Sequence, residues 1–304
     1  MRSCVRGLAA ILAWSLPFAG LAQTPPAVSV QKVGDGVWMA QTEKGSNAGW
    51  FLLGEAVVVV DTGSDAATGK ALQDKVQETA GKPVRFVVIT HAHGDHAGGL
   101  APFVAAGAQV ICQENAAAAV APLVGNASAT KSGLLAMSDR LAFFGSPRRA
   151  AIYFLGPAHS SGDVFIYLPD DKILFSGDLA LGGKAPYMQS PDVDPKGWES
   201  VLNRLAQLDL DKIIPGHGSV SERKSLADTY GYVKKINELA QMLLKENIGE
   251  DFIEARLRRP NSGIEPADIT PDVIANIRGV LRAERARKPT PVATPTRPPE
   301  KKKG

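Results

Sequence analysis

All five histidines of this 304-residue chain stand where runs of apolar, β-forming residues stop. His91, His93 and His96 fall in His91-Ala92-His93-Gly94-Asp95-His96, directly after the apolar run 84–89, and His159 and His217 each follow a later run. Histidines placed by chance would scatter over helix surfaces and tails, whereas strand ends are where a layered α/β protein builds its site. Imidazole and carboxylate are borderline-to-hard donors suited to zinc, and a catalytic zinc takes three protein ligands and leaves a position for water. Five histidines with Asp95 and Asp178 supply two such sets, so the expected cofactor is Zn2+, two per chain. Water shared by two such ions ionises near neutrality, a nucleophile that needs no serine or cysteine.

Elements must bring these residues together. Residues 28–33, 37–41, 49–53 and 56–60 read as an antiparallel meander of strands. A helix is expected over 66–78, ended by Gly81-Lys82-Pro83, and a strand buried on both faces over 84–89. A helix over 100–106 and a strand over 109–112 follow, then an Ala- and Gly-rich stretch, 116–145, read as mobile. Strands at 152–155, 164–168 and 172–175, a helix at 198–208 and a short strand at 212–214 lead to Pro215-Gly216-His217-Gly218. Two strand-rich halves that each close with helices imply an α/β fold of four layers, an αββα sandwich spanning 24–220. Over 221–286 a helical extension is expected: Leu226, Tyr230, Val233, Ile236, Leu239, Ala240 and Leu243 recur at helical spacing, and a second helix covers 274–286. The tail 287–304, prolines among Thr, Lys and Arg, cannot bury a core and is expected to be disordered.

With 44% hydrophobic residues the chain can build a large core, and its net charge of +3 owes much to the basic tail. Charge therefore makes no case for nucleic acid as a partner. Arg2 and Arg6, the apolar run 8–18 and Ala19-Gly20-Leu21-Ala22 form the three-part pattern of a signal peptide over 1–23. The run is too short to span a bilayer, so the expectation is a periplasmic or secreted protein without a stable membrane anchor. Cys4 lies in the leader, and Cys112 alone cannot form an internal disulfide; it reads as a small buried hydrophobe.

The motif His-x-His-x-Asp-His at 91–96 resembles the signature of the metallo-β-lactamase superfamily. Further matches follow in family order: Asp61-Thr62-Gly63, His159 before Ser160-Ser161-Gly162-Asp163, Gly177-Asp178 and Gly216-His217-Gly218. The resemblance runs from about Val33 to Gly218 and implies the metallo-β-lactamase fold. Carried over position by position, it implies that His91, His93 and His159 hold one ion and that Asp95, His96 and His217 hold the other. Asp178 would bridge the two, and Asp95 would also relay a proton beside the metal-bound hydroxide. Lactamases proper carry cysteine or serine where Asp178 stands, whereas glyoxalase II, lactonases and RNase Z-like members carry aspartate. Oxygen-reducing di-iron relatives carry glutamate where His93 stands. The pattern is thus similar to a zinc hydrolase, and exported members include proteins associated with periplasmic quinoprotein oxidation.

The activity these features imply is hydrolysis of an ester, lactone, thioester or amide carbonyl in a small-molecule substrate. Alternatives are a β-lactam hydrolase and a periplasmic metal-binding accessory protein with little turnover. Asp61 is expected to orient a ligand histidine from behind. Asn47, Trp50, Lys184 and Tyr187, on or beside expected loops, are candidates for lining the substrate pocket. Gly94, Gly98 and Gly99 would let backbone crowd the metals.

Overall fold

A computed structural model describes residues 26–125, 133–146 and 148–287. The segment 1–23 that reads as a signal peptide, residues 288–304 of the tail and residues 126–132 of the Ala- and Gly-rich stretch lie outside the described residues.

The chain forms β1 (Val28–Gly34), β2 (Val37–Thr42), β3 (Asn47–Leu53) and β4 (Ala56–Val60), then α1 (Ala66–Ala80) and β5 (Val84–Val88). Next come α2 (Gly94–Ala97), α3 (Leu100–Ala105), β6 (Gln109–Gln113), α4 (Glu114–Val124), β7 (Leu134–Met137), β8 (Arg140–Phe144) and β9 (Arg149–Phe154). The rest is β10 (Val164–Leu168), β11 (Ile173–Gly177), α5 (Pro195–Leu205), β12 (Lys212–Pro215), α6 (Lys224–Lys245), α7 (Ile253–Leu257) and α8 (Pro271–Ala286). One sheet of seven strands runs in sequence order from β1 to β7, antiparallel through β4 and parallel beyond it. The other has five strands in the order β12-β11-β10-β9-β8, antiparallel except for the β11–β12 pair.

Three apolar layers make this a four-layer sandwich. Met39, Phe51, Val58, Val88, Ile152, Ile166 and Phe175 fill the space between the sheets. Trp50, Val59, Leu72, Val87, Phe103 and Val120 join the first sheet to α1, α3 and α4. Alternation explains the split within β4, whose Val58 and Val60 face the other sheet while Val57 and Val59 face the helices. Phe165, Leu174, Trp198, Leu202, Val233, Ile236, Ile277 and Leu281 join the second sheet to α5, α6 and α8 in a single core. The helices beyond residue 220 thus complete the fourth layer. Caps set several boundaries: Asp65 accepts from Thr68 N before α1, Asp194 from Gly197 N before α5, and Thr270 from Val273 N before α8.

The stretch 116–145 corrects a sequence expectation, because α4, β7 and β8 occupy most of it. Alanine is the best helix former, so Ala116–Ala121 extends α4. Leu134–Met137 finds a parallel ladder on β6 that no local pattern announces.

At the end of the sandwich away from the histidines, Arg148 is only 5% exposed. Its guanidinium pairs with Asp171 at 2.5 and 2.8 Å and donates to the carbonyls of Leu52 (2.8 Å) and Asp35 (2.5 Å), tying the two sheets together. Arg148→Ala strands Asp171 and two carbonyls, so denaturant melts should show a loss of about 3–5 kcal/mol. Metal content of the folded variant should be unchanged.

Candidate metal centre

The loops that leave β4, β5, β9, β11 and β12 meet at one end of the two sheets. The left-handed backbone of Asp61 (φ 59°) follows β4, and Thr90 to His96 follow β5, with Gly94 opening α2. His159 lies between β9 and β10, Asp178 directly after β11 and His217 two residues past β12. Backbone links across the sheets close this end: Asn47 N donates to Gly216 O at 2.7 Å, and Gly182 N to His217 O at 2.9 Å.

Three groups of donors converge: His91, His93 and His159; Asp95, His96 and His217; and His91, His96 and Asp178. His93 Nδ1 lies 3.0 Å from His91 Nε2 and 3.0 Å from His159 Nε2, while His96 Nε2 lies 3.3 Å from His217 Nε2. Tetrahedral zinc with bonds of about 2.0–2.1 Å separates its nitrogens by about 3.3 Å, so these spacings approach the edges of such a polyhedron. Asp178 stands between the groups, with Oδ1 3.4 Å from His96 Nε2 and Oδ2 3.5 Å from both His159 Nε2 and His217 Nε2. Its buried Oδ1 has no hydrogen-bond donor. A buried carboxylate oxygen without a donor is costly, and a cation between the two groups resolves it. The residues present therefore fit a metal. Gly216 makes room for Asp178, since a Cβ there would lie 1.9 Å from Oδ1.

Each histidine also has an outward partner that fixes its ring. His91 Nδ1 meets Thr90 Oγ1 at 3.0 Å, His96 Nδ1 meets Asp61 Oδ2 at 2.9 Å, and His159 Nδ1 donates to Tyr187 O at 3.1 Å. His217 Nδ1 donates to Gly45 O at 3.1 Å, and His93 Nε2 meets Ser190 Oγ at 3.4 Å. Asp61 accepts at the same time from Thr90 N and Thr90 Oγ1, both at 2.8 Å, so it supports His96 directly and His91 through the threonine. Asp192 serves His93 likewise, accepting from Ser190 Oγ at 2.5 Å. With the outer nitrogens of His91 and His159 donating, the inner nitrogens carry bare lone pairs.

The protein's own charges divide the imidazoles into two classes. Burial pushes His159 down to about 4, against the pull of Asp178, and burial with the neighbouring imidazoles holds His91 well below its ordinary value. Burial also lowers His93. On His96 burial opposes the charge too, but Asp178, Asp61 and Asp95 outweigh it and hold the ring up at about 10; Asp95 and Asp178 likewise raise His217. A metal entering beside Asp95, His96 and His217 must therefore displace protons. Apparent zinc affinity there should rise about tenfold per pH unit for each proton released, and calorimetry in buffers of different ionisation heat will count them. Affinity that does not change between pH 6 and 8 would contradict this protonation pattern.

The centre opens into a cleft of about 620 Å³ lined by His93, Gly94, Asp95, Asp178, Tyr187, Gln189, Ser190, Pro191 and His217. Among the four pocket candidates only Tyr187, 49% exposed, lines it. Trp50 corrects an expectation: it is fully buried against α1, its indole donating to Thr79 Oγ1 at 3.0 Å, because its β3 position faces the helices. Asn47 is buried as well, and its amide donates to Pro215 O and Gly218 O at 2.9 and 2.8 Å, pinning the loop that carries His217. Lys184 is exposed and does not line the cleft. Gly98 and Gly99 pack against the backbone of residues 62–64 rather than against the ligands, and Gly94 faces open space. The sequence reading missed Thr90, Ser190 and Asp192. Thr90 offered a signal, a hydroxyl closing an apolar strand just before a ligand; the other two offered none.

Comparison with known proteins agrees with this geometry. The model of the metallo-beta-lactamase superfamily matches residues 42–217. The chain is 30% identical over 181 residues to the 2,4-dinitroanisole O-demethylase subunit alpha of Nocardioides sp. (strain JS1661), covering 57% of this chain and 52% of that protein, so the match spans about half that relative's length. To the metallo-beta-lactamase type 2 of Bacillus cereus it is 27% identical over 221 residues, 68% of this chain and 83% of the other. The solved metallo-beta-lactamase from Pontibacter korlensis superposes with a TM-score of 0.59 at 25% identity, over 68% of this chain and 99% of that one. Fold, clustered His and Asp donors and the family match together show that the chain belongs to the metallo-beta-lactamase superfamily, whose members are typically zinc-dependent hydrolases.

Proposed function

We propose that the protein is a zinc hydrolase that holds two ions per chain and cleaves an uncharged ester, lactone or thioester of a small molecule. The observation that carries this reading is Asp178, whose two oxygens reach toward both histidine groups. When bound, two zinc ions supply an ionised water near neutral pH and polarise a carbonyl. His91, His93 and His159 would hold one ion, Asp95, His96 and His217 the other, and Asp178 both.

The chain's own part in the reaction is positioning and proton movement. Asp95 is 38% exposed toward the cleft, and its Oδ2 lies 3.2 Å from His217 Nε2. Against the effect of burial, His217 and His96 keep the Asp95 carboxyl below its ordinary value, so it is ionised, and a carboxylate this weakly basic holds a proton only in passing, which suits a relay from the attacking water to the leaving atom. The Tyr187 and Pro191 side chains give the substrate an apolar wall, with Gln189 and Ser190 beside them for hydrogen bonds.

A second reading, β-lactam hydrolysis, is favoured by the relatives named as lactamases. Against it, no Lys or Arg is among the residues lining the cleft, so the carboxylate of a β-lactam finds no basic side chain there to pair with while the metal groups engage the amide. For one zinc-loaded preparation, kcat/KM on an uncharged aryl ester or lactone should exceed that on nitrocefin about tenfold or more, at least ~1.4 kcal/mol in barrier. Should nitrocefin be the best substrate, and Asp95→Ala abolish its turnover, the lactamase reading takes first place.

A further inference from the structure

We infer that Asn276, on the last helix and outside the residues matched by the family model, is a positioning residue for the metal centre. It would act through the segment 186–190, which supports two of the three histidines in one donor group. The inference rests on the reading of His159 and His93 as metal ligands.

The residues of α8 that face the core are apolar, Val273, Ile274, Ile277, Val280 and Leu281, apart from Asn276, which is only 2% exposed. Its amide is fully used. Oδ1 accepts from Met188 N at 3.0 Å, and Nδ2 donates to Pro186 O at 2.7 Å and to Tyr232 Oη at 2.9 Å. One side chain thus grips the backbone on both sides of Tyr187, and it needs a donor and an acceptor together to do so. One turn further on, Gly279 lets the segment lie directly on the helix, since a Cβ there would come within 2.3 Å of Met188 O and 2.5 Å of Gln189 Cα. At the end of α8, Arg287 donates to Val193 O at 2.9 Å.

What this segment carries explains why it is held so closely. The Tyr187 carbonyl accepts from His159 Nδ1, which fixes the ring with Nε2 turned inward. Ser190 Oγ stands 3.4 Å from His93 Nε2 and leads to Asp192. Tyr187, Gln189 and Ser190 also form one wall of the cleft. A shift of the segment would therefore turn the His159 and His93 rings and reshape the cleft, while Asp61 and Gly45 keep His96 and His217 in place.

The test uses the full chain and four variants: Asn276→Asp, Asn276→Leu, Gly279→Ala, and Val280→Ala as a packing control on the same helix. Zinc affinity is read by competition with a chelator. Asn276→Leu and Gly279→Ala should weaken one of the two ions by about 10–100-fold, the loss typical when a ligand's outer partner is disturbed, and leave the other as it was. Asn276→Asp, which keeps the bond from Met188 N and loses the donor to Pro186 O, should fall between them and the wild type. Val280→Ala should lower the melting temperature without changing either affinity. Wild-type affinity for both ions in Asn276→Leu and Gly279→Ala would overturn the inference, as would an equal loss in Val280→Ala, which would reduce the effect to packing. Hydrogen exchange at the Met188 amide, measured without metal, should speed up in Asn276→Leu and not in Val280→Ala. If the wild type itself bound no zinc, the proposed function would fall, and unchanged exchange at Met188 would separately overturn the role of Asn276.

Discussion

Asp178→Ala should weaken at least one zinc ion by roughly 100-fold or more and lower kcat/KM on an ester by at least as much, about 2.7 kcal/mol in barrier. The size follows from position. Loss of a partner that merely orients a ligand costs about 10–100-fold, and Asp178 itself faces both groups, with oxygens 3.4 to 3.5 Å from His96, His159 and His217. Removing it leaves two cations to repel each other across a buried gap without the charge that holds them together. The fold should survive, because the Oδ1 of Asp178 has no hydrogen-bond donor to lose and Ala is smaller. Metal analysis after dialysis, alongside thermal melts, separates the two effects. Two tightly bound ions in the variant would remove Asp178 from the bridge.

Asp61→Ala should act on both ions from one place. Its carboxylate meets His96 Nδ1 directly at 2.9 Å and reaches His91 through Thr90 Oγ1, so both rings lose their orientation. Zinc affinity should fall about 10–100-fold in each group. Unlike Asp178→Ala, this variant should also melt earlier, since Thr90 N is left buried without an acceptor, a cost of about 1–3 kcal/mol. Thr90→Val then divides the effect: it cuts the path to His91 and spares the Asp61–His96 contact, so only the ion held by His91 should loosen. An Asp61→Ala protein that binds both ions as the wild type does would reduce Asp61 to a turn residue.

The difference between what could be read and what could not follows the range of the interactions. The run 84–89 announces a buried strand because four apolar residues in a row, 86–89, need cover on both faces. Trp50 was misjudged for a related reason: β3 is buried on both sides, and only its partners tell which face meets helices and which meets the other sheet. For residues 116–145 composition misled, since alanine signals helix as readily as looseness and a four-residue strand such as β7 has no pattern of its own. Asn276 is the extreme case, an amide 88 residues from the amide it holds.

The sequence by itself determined the donor set and the layer order. Chemistry limits zinc to a few residue types, those types stand at strand ends in fixed short motifs, and the alternation of strands and helices leaves few ways to stack them. Only the tertiary structure decided how the donors share space and what stands behind them. It put the Asp178 oxygens between two groups whose members come from segments more than a hundred residues apart, as His96 and His217 do. It also chose the carbonyls of Tyr187 and Gly45 as outer partners for His159 and His217. Every residue but proline offers the same N–H and C=O, so nothing in a residue's identity tells which backbone group will be used. That choice is made when the two sheets close on their core and the last helix settles the segment beside the cleft.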